Sequence, residues 1–163
     1  MRSISIEWRN AASAVMAVLL VAAAGSAGCS DSQPNVGPNL DGISVTLPDD
    51  TVIGAEVAGT PEEQQRGLMF RRALAPDRGM LFNFTSYEER PFWMFQTLIP
   101  LDIIWMNPQG VIVEISADTP PCGSTNPVDC PNYGGSVKSQ SVLEIAGGQA
   151  AAHGLKVGDR IRF

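Results

Sequence analysis

Three kinds of residue in this chain are equipped for chemistry. They are the sulfurs of Cys29, Cys122 and Cys130, a carboxylate at Asp102 set in an apolar run, and the guanidinium groups of Arg66 and Arg71. Cys122 and Cys130 are separated by seven residues in a segment rich in Pro, Gly and Asn. In an oxidising compartment such a pair forms a disulfide, here pinning the irregular stretch 117–135. The alternative is a redox-active pair. Reactive pairs, however, sit as C-x-x-C at a helix start, and this spacing does not provide one.

Asp102 lies in LDIIWM, where strand alternation sends Leu101, Ile103 and Trp105 to one face and Asp102, Ile104 and Met106 to the other. A carboxylate among such neighbours stays ionised only if a cation or several donors meet it. Arg66 and Arg71, framing Gly-Leu-Met-Phe, are the expected cations, with Thr97 as a donor. One reading is structural, a buried ion pair or a strand-end hydrogen bond. The other is a pocket in which Arg66 or Arg71 holds an anionic ligand near Asp102.

Trp93 and Met94, with Met69, Met80, Trp105 and Met106, either fill a core or line an adaptable ligand groove. Soft-metal binding would need Met-x-Met or His-rich spacing. Neither is present, and His153 is the single histidine. No metal or cofactor is therefore expected. The chain contains no G-x-S-x-G, H-E-x-x-H, P-loop or dinucleotide fingerprint. A carboxylate mechanism pairing Asp102 with Glu114 or Glu144 is the enzymatic reading that remains, because two acids suffice for glycoside hydrolysis. The expectation is a non-catalytic domain that binds a ligand or a partner protein. A small hydrolase using those carboxylates is the alternative.

The elements that must position these residues belong to one domain, since 163 residues are too few for two of ordinary size. With 44% hydrophobic and 17% charged residues the composition is globular rather than disordered. Ile43 to Leu47 and Thr51 to Ala58 read as a strand pair around Pro48-Asp49-Asp50. Thr60-Pro61-Glu62-Glu63 is a helix start with a capping box, and Gly67 ends that helix after about two turns. Gly79 to Phe84, Phe92 to Thr97, Leu101 to Met106 and Val111 to Ser116 read as short strands. Asn107-Pro108-Gln109-Gly110 supplies a type I turn between the last two. Val137 to Ala146 is a further strand, Gly148 to His153 a short helix closed by Gly154, and Lys156 to Phe163 a final strand bent at Gly158. The pattern predicts an α+β, mainly β fold. Its core would be a small curled antiparallel sheet or a barrel-like arrangement, with one or two short helices.

The N-terminus adds a location. Arg2 and Arg9 flank a basic start, Ala14 to Ala24 is a signal-type apolar run, and Ser26-Ala27-Gly28-Cys29 resembles a bacterial lipobox. A retained anchor would need about 20 strongly apolar residues, more than this run supplies. The reading divides the chain into a lipoprotein-type signal at 1–28, a flexible tether at 29–41 and one domain at 42–163. Lipidation at Cys29 also resolves the odd cysteine count, leaving Cys122 and Cys130 as a pair. The expected partners are the membrane, through that lipid, and an envelope ligand or protein, on the extracytoplasmic side at the periplasm or cell surface. Losing Arg2, Arg9 and Glu7 leaves 9 basic and 16 acidic side chains, a net charge of −7. Such a surface repels phosphate backbones, so no nucleic acid is expected.

Several motifs, in order, together resemble one family. Thr60-Pro61-Glu62-Glu63 precedes Arg66-Gly67-Leu68-Met69-Phe70-Arg71; Gly79-Met80-Leu81-Phe82 and Phe92-Trp93-Met94 follow. Thr97, Pro100-Leu101-Asp102-Ile103, Pro120-Pro121-Cys122, Cys130-Pro131, Val142-Leu143-Glu144 and Val157-Gly158-Asp159 complete the set. Their order and spacing over Val52 to Ile161 are similar to the domain-of-unknown-function family 192. The resemblance implies a compact, mainly β domain, often exported, and it carries no catalytic residues over to this chain.

Overall fold

A computed structural model describes residues 42–163. The expected signal, the lipidation site Cys29 and the tether at 29–41 lie outside the described residues. Eight strands and two short α-helices follow in order: β1 (Ile43–Thr46), β2 (Val52–Ala58), α1 (Pro61–Arg66), β3 (Arg78–Glu89), β4 (Phe92–Trp93), β5 (Leu101–Met106), β6 (Ile112–Thr119), β7 (Asn132–Tyr133), β8 (Lys138–Ala146) and α2 (Gln149–Ala152). No helix among the described residues is long and apolar enough to cross a membrane.

Six strands form one sheet in the order β1-β2-β3-β8-β5-β6, and β4 and β7 form a separate two-stranded ladder. The mainly β, α+β class is as expected, but the sheet is mixed and open. β2 and β3 run parallel because α1 and the following loop carry the chain back to the same end before β3 begins. The other neighbours in the large sheet pair antiparallel. The last residues do not form the expected strand. Gly158, at φ +98°, turns the chain so that Arg160 bridges Val111 while Arg162 bridges Thr46, one residue on each edge.

Strand alternation gives the sheet two buried faces. One carries Val45, Ile53, Leu81, Ile104, Leu143 and Ile145, packed against Ala150 of α2, Leu155 and Ile161. The other carries Ala58, Met80, Phe82, Ile103, Trp105 and Val142, covered by Leu68 and Met94. Trp105 is fully buried, and its indole N–H donates to the Arg90 carbonyl at 2.8 Å. The ring leaves no room for a side chain at Gly134, which turns beside it at φ +59°.

The cover over this second face is built by local rules. Thr60 Oγ1 accepts the Glu63 N–H, and Glu63 returns its carboxylate to the N–H groups of Gly59 and Thr60. Gln64 then donates to the carbonyls of Ala58 and Asn83, fastening α1 over β2 and β3. Of the expected strand Phe92 to Thr97, the first two residues are strand, pairing with β7. Gln96 adopts φ +55°, and its carbonyl accepts the N–H of Phe70, itself at φ +64°. That backbone contact ties the loop after α1 to the loop after β4.

Candidate functional site

Asp102 is fully buried and serves the fold. Its Oδ1 accepts the N–H groups of Asp118 at 2.6 Å and Gly148 at 3.1 Å, and its Oδ2 accepts the Ala150 N–H at 2.6 Å. Gly148 has no side chain with which to cap α2, so a carboxylate from β5 caps it instead. Backbone donors, rather than the expected arginines or Thr97, satisfy Asp102. The reason is topological, since Asp102 faces α2 while Arg66, Arg71 and Thr97 belong to the cover on the opposite face.

The same alternation decides the carboxylate pairs. Asp102 faces Ile145 in register with β8, whereas Glu144, one residue earlier, points to the other side. Glu114 stands opposite Trp105, also on that other side, and accepts from the Gly135 N–H and the Ser136 hydroxyl at 3.1 Å each. Asp102 is therefore brought together with neither Glu114 nor Glu144. His153 contacts Asp49, with Nδ1 2.8 Å from Oδ2, and neither residue lines the cleft.

Arg71 binds Glu56 in a two-pronged pair at 2.5 and 2.6 Å. The guanidinium holds the Glu56 carboxyl below its usual range, and the carboxylate raises Arg71 in return. Both side chains are more than a third exposed, so the pair stabilises the fold only modestly. It lies in a hollow beside the covered face rather than near Asp102.

Four of the expected residues do converge on one face. Arg66, Trp93 and Thr97 line a cleft of about 380 Å³ between α1, the 67–69 turn, β4 and the sheet. Met94 is fully buried beneath this region as core. The cleft walls are aromatic. Phe92 stands edge-on to Phe82 at 5.0 Å between ring centres, and Trp93 is tilted against Phe95 at 5.6 Å. The edge-to-face contact of Phe82 and Phe92 fixes their orientation, and Trp93 is the exposed ring of the wall.

Glu144 lines the floor. It sits between Met80 of β3 and Ile103 of β5 in register and is 4% exposed. Its carboxyl makes no hydrogen bond or ion pair among the described residues. Burial alone pushes its pKa up to about 8, so the group carries a proton at neutral pH. Gly67 makes the approach to it open. At φ +45° and ψ −134° this residue occupies a region that suits glycine, and a Cβ there would stand 3.2 Å from the Phe82 ring and 3.9 Å from Glu144 Oε2.

Among the described residues, no group of three or more His, Cys, Asp or Glu is placed to hold a metal ion. Cys122 and Cys130 form the expected disulfide. Cys122 also donates its N–H to the Met94 carbonyl and bridges Phe95, so the disulfide loop braces a cleft wall. In the sequence Glu144 stands out only as a partner for Asp102, and nothing local marks Phe82, Phe92 and Phe95 as cleft walls. The one local signal was an acid inside an apolar strand, Val142-Leu143-Glu144-Ile145, the same signal that singled out Asp102.

These features define a class: a small α+β domain with an open mixed sheet and an aromatic cleft floored by one unpaired acid. The chain belongs to the DUF192 family, described as an uncharacterized ACR, whose model matches residues 44–163. Two solved structures are similar to it. A protein of unknown function from Novosphingobium aromaticivorans DSM 12444 is 36% identical, with a TM-score of 0.65, over 74% of this chain and 82% of that one. A Sinorhizobium meliloti 1021 protein, described as a candidate transcription regulator, is 29% identical with a TM-score of 0.62, over 73% of this chain and 89% of that one. No curated protein matches the chain.

Proposed function

We propose that this chain is an exported, lipid-anchored envelope protein whose domain binds a small ligand in the cleft above Glu144 without transforming it. The observation that carries the binding role is the Glu144 carboxyl, 4% exposed, without a partner among the described residues and facing an aromatic-walled cleft. A buried polar group left unpaired destabilises a fold, and a ligand that pairs it recovers that free energy on binding. The cleft volume falls in the range that holds small molecules.

A non-catalytic role is favoured because, among the described residues, no second free carboxylate stands within reach of Glu144. Glu56 is bound by Arg71, and Glu114 by the 135–136 turn. Glu89 also lines the cleft, but it stands at the far end of β3 opposite Lys138 in the strand register, six residues from Glu144, or about 20 Å along the strand. The described relative's regulatory label is not extended to this chain, because a net charge of −7 after signal removal repels nucleic acid. Export rests on the apolar leader and the lipobox-like Ser26-Ala27-Gly28-Cys29, and the Cys122–Cys130 bridge supports an oxidising location.

Two measurements test the proposal. Intact mass of the mature protein is expected to show Cys29 as a lipidated first residue; an unmodified Cys29 refutes the anchor. Native mass spectrometry of the full chain, incubated with small molecules extracted from its host's envelope, is expected to show a retained species. Trp93→Ala and Glu144→Gln should each lose that species. No retained species, or equal retention by both variants, refutes the binding site.

A further inference from the structure

We propose that the cleft recognises an organic ammonium group, its nitrogen meeting the Glu144 carboxylate and its carbon substituents lying against the Phe82, Phe92 and Trp93 rings. The inference rests on the cleft being a ligand site and names the chemical class of the ligand.

A carboxyl flanked by Met80, Ile103 and aromatic rings has no donor or cation among the described residues, so its ionised form is left to whatever enters the cleft. Aromatic faces favour cations through the ring quadrupole, most strongly where water is excluded. This wall already seats one: the Arg90 guanidinium carbon lies 3.9 Å from the centre of the Phe84 ring, which is itself edge-on to Phe92. An ammonium on Glu144 therefore gains both a charge-assisted bond and the attraction of the ring quadrupoles, whereas a neutral hydroxyl compound gains only a neutral hydrogen bond and an anion is repelled by both. The acidic domain also attracts cations over longer distances.

The charged groups that line or flank the cleft are few. Arg66 is exposed at the end of α1 and makes no ion pair among the described residues, and solvent screens its repulsion of a cation. Arg90 is held by Ser86 and Phe84, and Glu89 is exposed at the far end of β3. Glu56 and Arg71 neutralise each other in the adjoining hollow. Glu56, held below the usual range by Arg71, does not titrate where Glu144 does. Since Glu144 holds a proton in the empty cleft at neutral pH, binding the cation releases that proton to water.

Isothermal titration of the full chain with benzylamine, benzyl alcohol and benzoate between pH 6 and 8 tests this directly. The three probes share a ring and differ in the group presented to Glu144. Benzylamine is expected to bind tightest, to gain roughly fifty-fold in affinity from pH 6 to pH 8 and to release about one proton at pH 6. Benzyl alcohol should show no such rise. Glu144→Gln should remove the amine preference and the pH dependence. Tighter binding of the alcohol or of benzoate, amine binding unaltered in Glu144→Gln, or no amine binding at millimolar concentration overturns the proposal. A retained envelope molecule without an amine would overturn the ammonium assignment alone, whereas no retained molecule at all would remove the binding site with it.

Discussion

Glu144 Oε2 lies 3.9 Å from the point at which Gly67 would carry its first side-chain atom. The end of α1 and the middle of β8, 77 positions apart in sequence, thus meet across the floor of the cleft with nothing but a glycine between acid and loop. Any residue with a Cβ would both strain the backbone and narrow the approach to the carboxyl.

Gly67→Ala measures that relationship. At φ +45° and ψ −134° the substitution carries backbone strain of about 1–3 kcal/mol, and the methyl presses on the Phe82 ring. Urea unfolding should show a loss of about 2 kcal/mol, with ligand retention weakened further than that loss explains. A variant as stable as the parent would show that glycine is not required there.

Glu144 also sets a pH dependence of stability. Its ordinary value is 4.5, and burial raises it to about 8 in the folded chain. Between those pH values the folded chain holds a proton that the unfolded chain has released, so stability falls as pH rises through this window. Relative to Glu144→Gln, which has nothing to titrate, the loss is on the order of 3–5 kcal/mol. Subtracting the two unfolding curves cancels groups such as Asp49 and Glu56, whose lowered values act in the opposite direction. The variant should be the more stable protein at pH 8 and no more stable at pH 4.

How the two apolar-run acids differ shows what was legible in the sequence. Local patterns were read directly: the Thr60–Glu63 capping box, the Gly67 stop, the Asn107–Gly110 turn and the disulfide all stand as expected. These depend on residues within a few positions of one another. Asp102 and Glu144 look alike at that range, each an acid among aliphatic neighbours. What separates them is which face of the sheet each occupies and what covers it. That is set by the β5–β8 register and by α2, which the sequence does not display locally. The parallel β2–β3 pair and the left-handed Gln96 were hidden for the same reason. Each is imposed by a crossover or a contact with a distant loop.

Asp102→Asn tests the structural assignment of the other acid. An amide presents one acceptor and one donor where three N–H groups converge, so about 3 kcal/mol of stability should be lost. Hydrogen exchange at Ala150 should quicken, while ligand retention by the folded fraction stays unchanged. Loss of the ligand with α2 protection intact would return Asp102 to the binding site.

Removing the disulfide should loosen one cleft wall. Replacing both Cys122 and Cys130 by Ser is expected to lower stability by about 2–3 kcal/mol for so short a loop. Because Cys122 is bonded to the Met94 carbonyl beside Phe95, ligand affinity should also fall. Unchanged affinity would show that the bridge serves the loop alone.

The most direct test is a carbon-13 NMR titration of the Glu144 carboxyl in the ligand-free full chain. A midpoint near 8 is the predicted result. A midpoint in the ordinary range near 4.5 would mean that the carboxyl is solvated or paired, and the cleft would lose the unpaired acid around which its function is assigned.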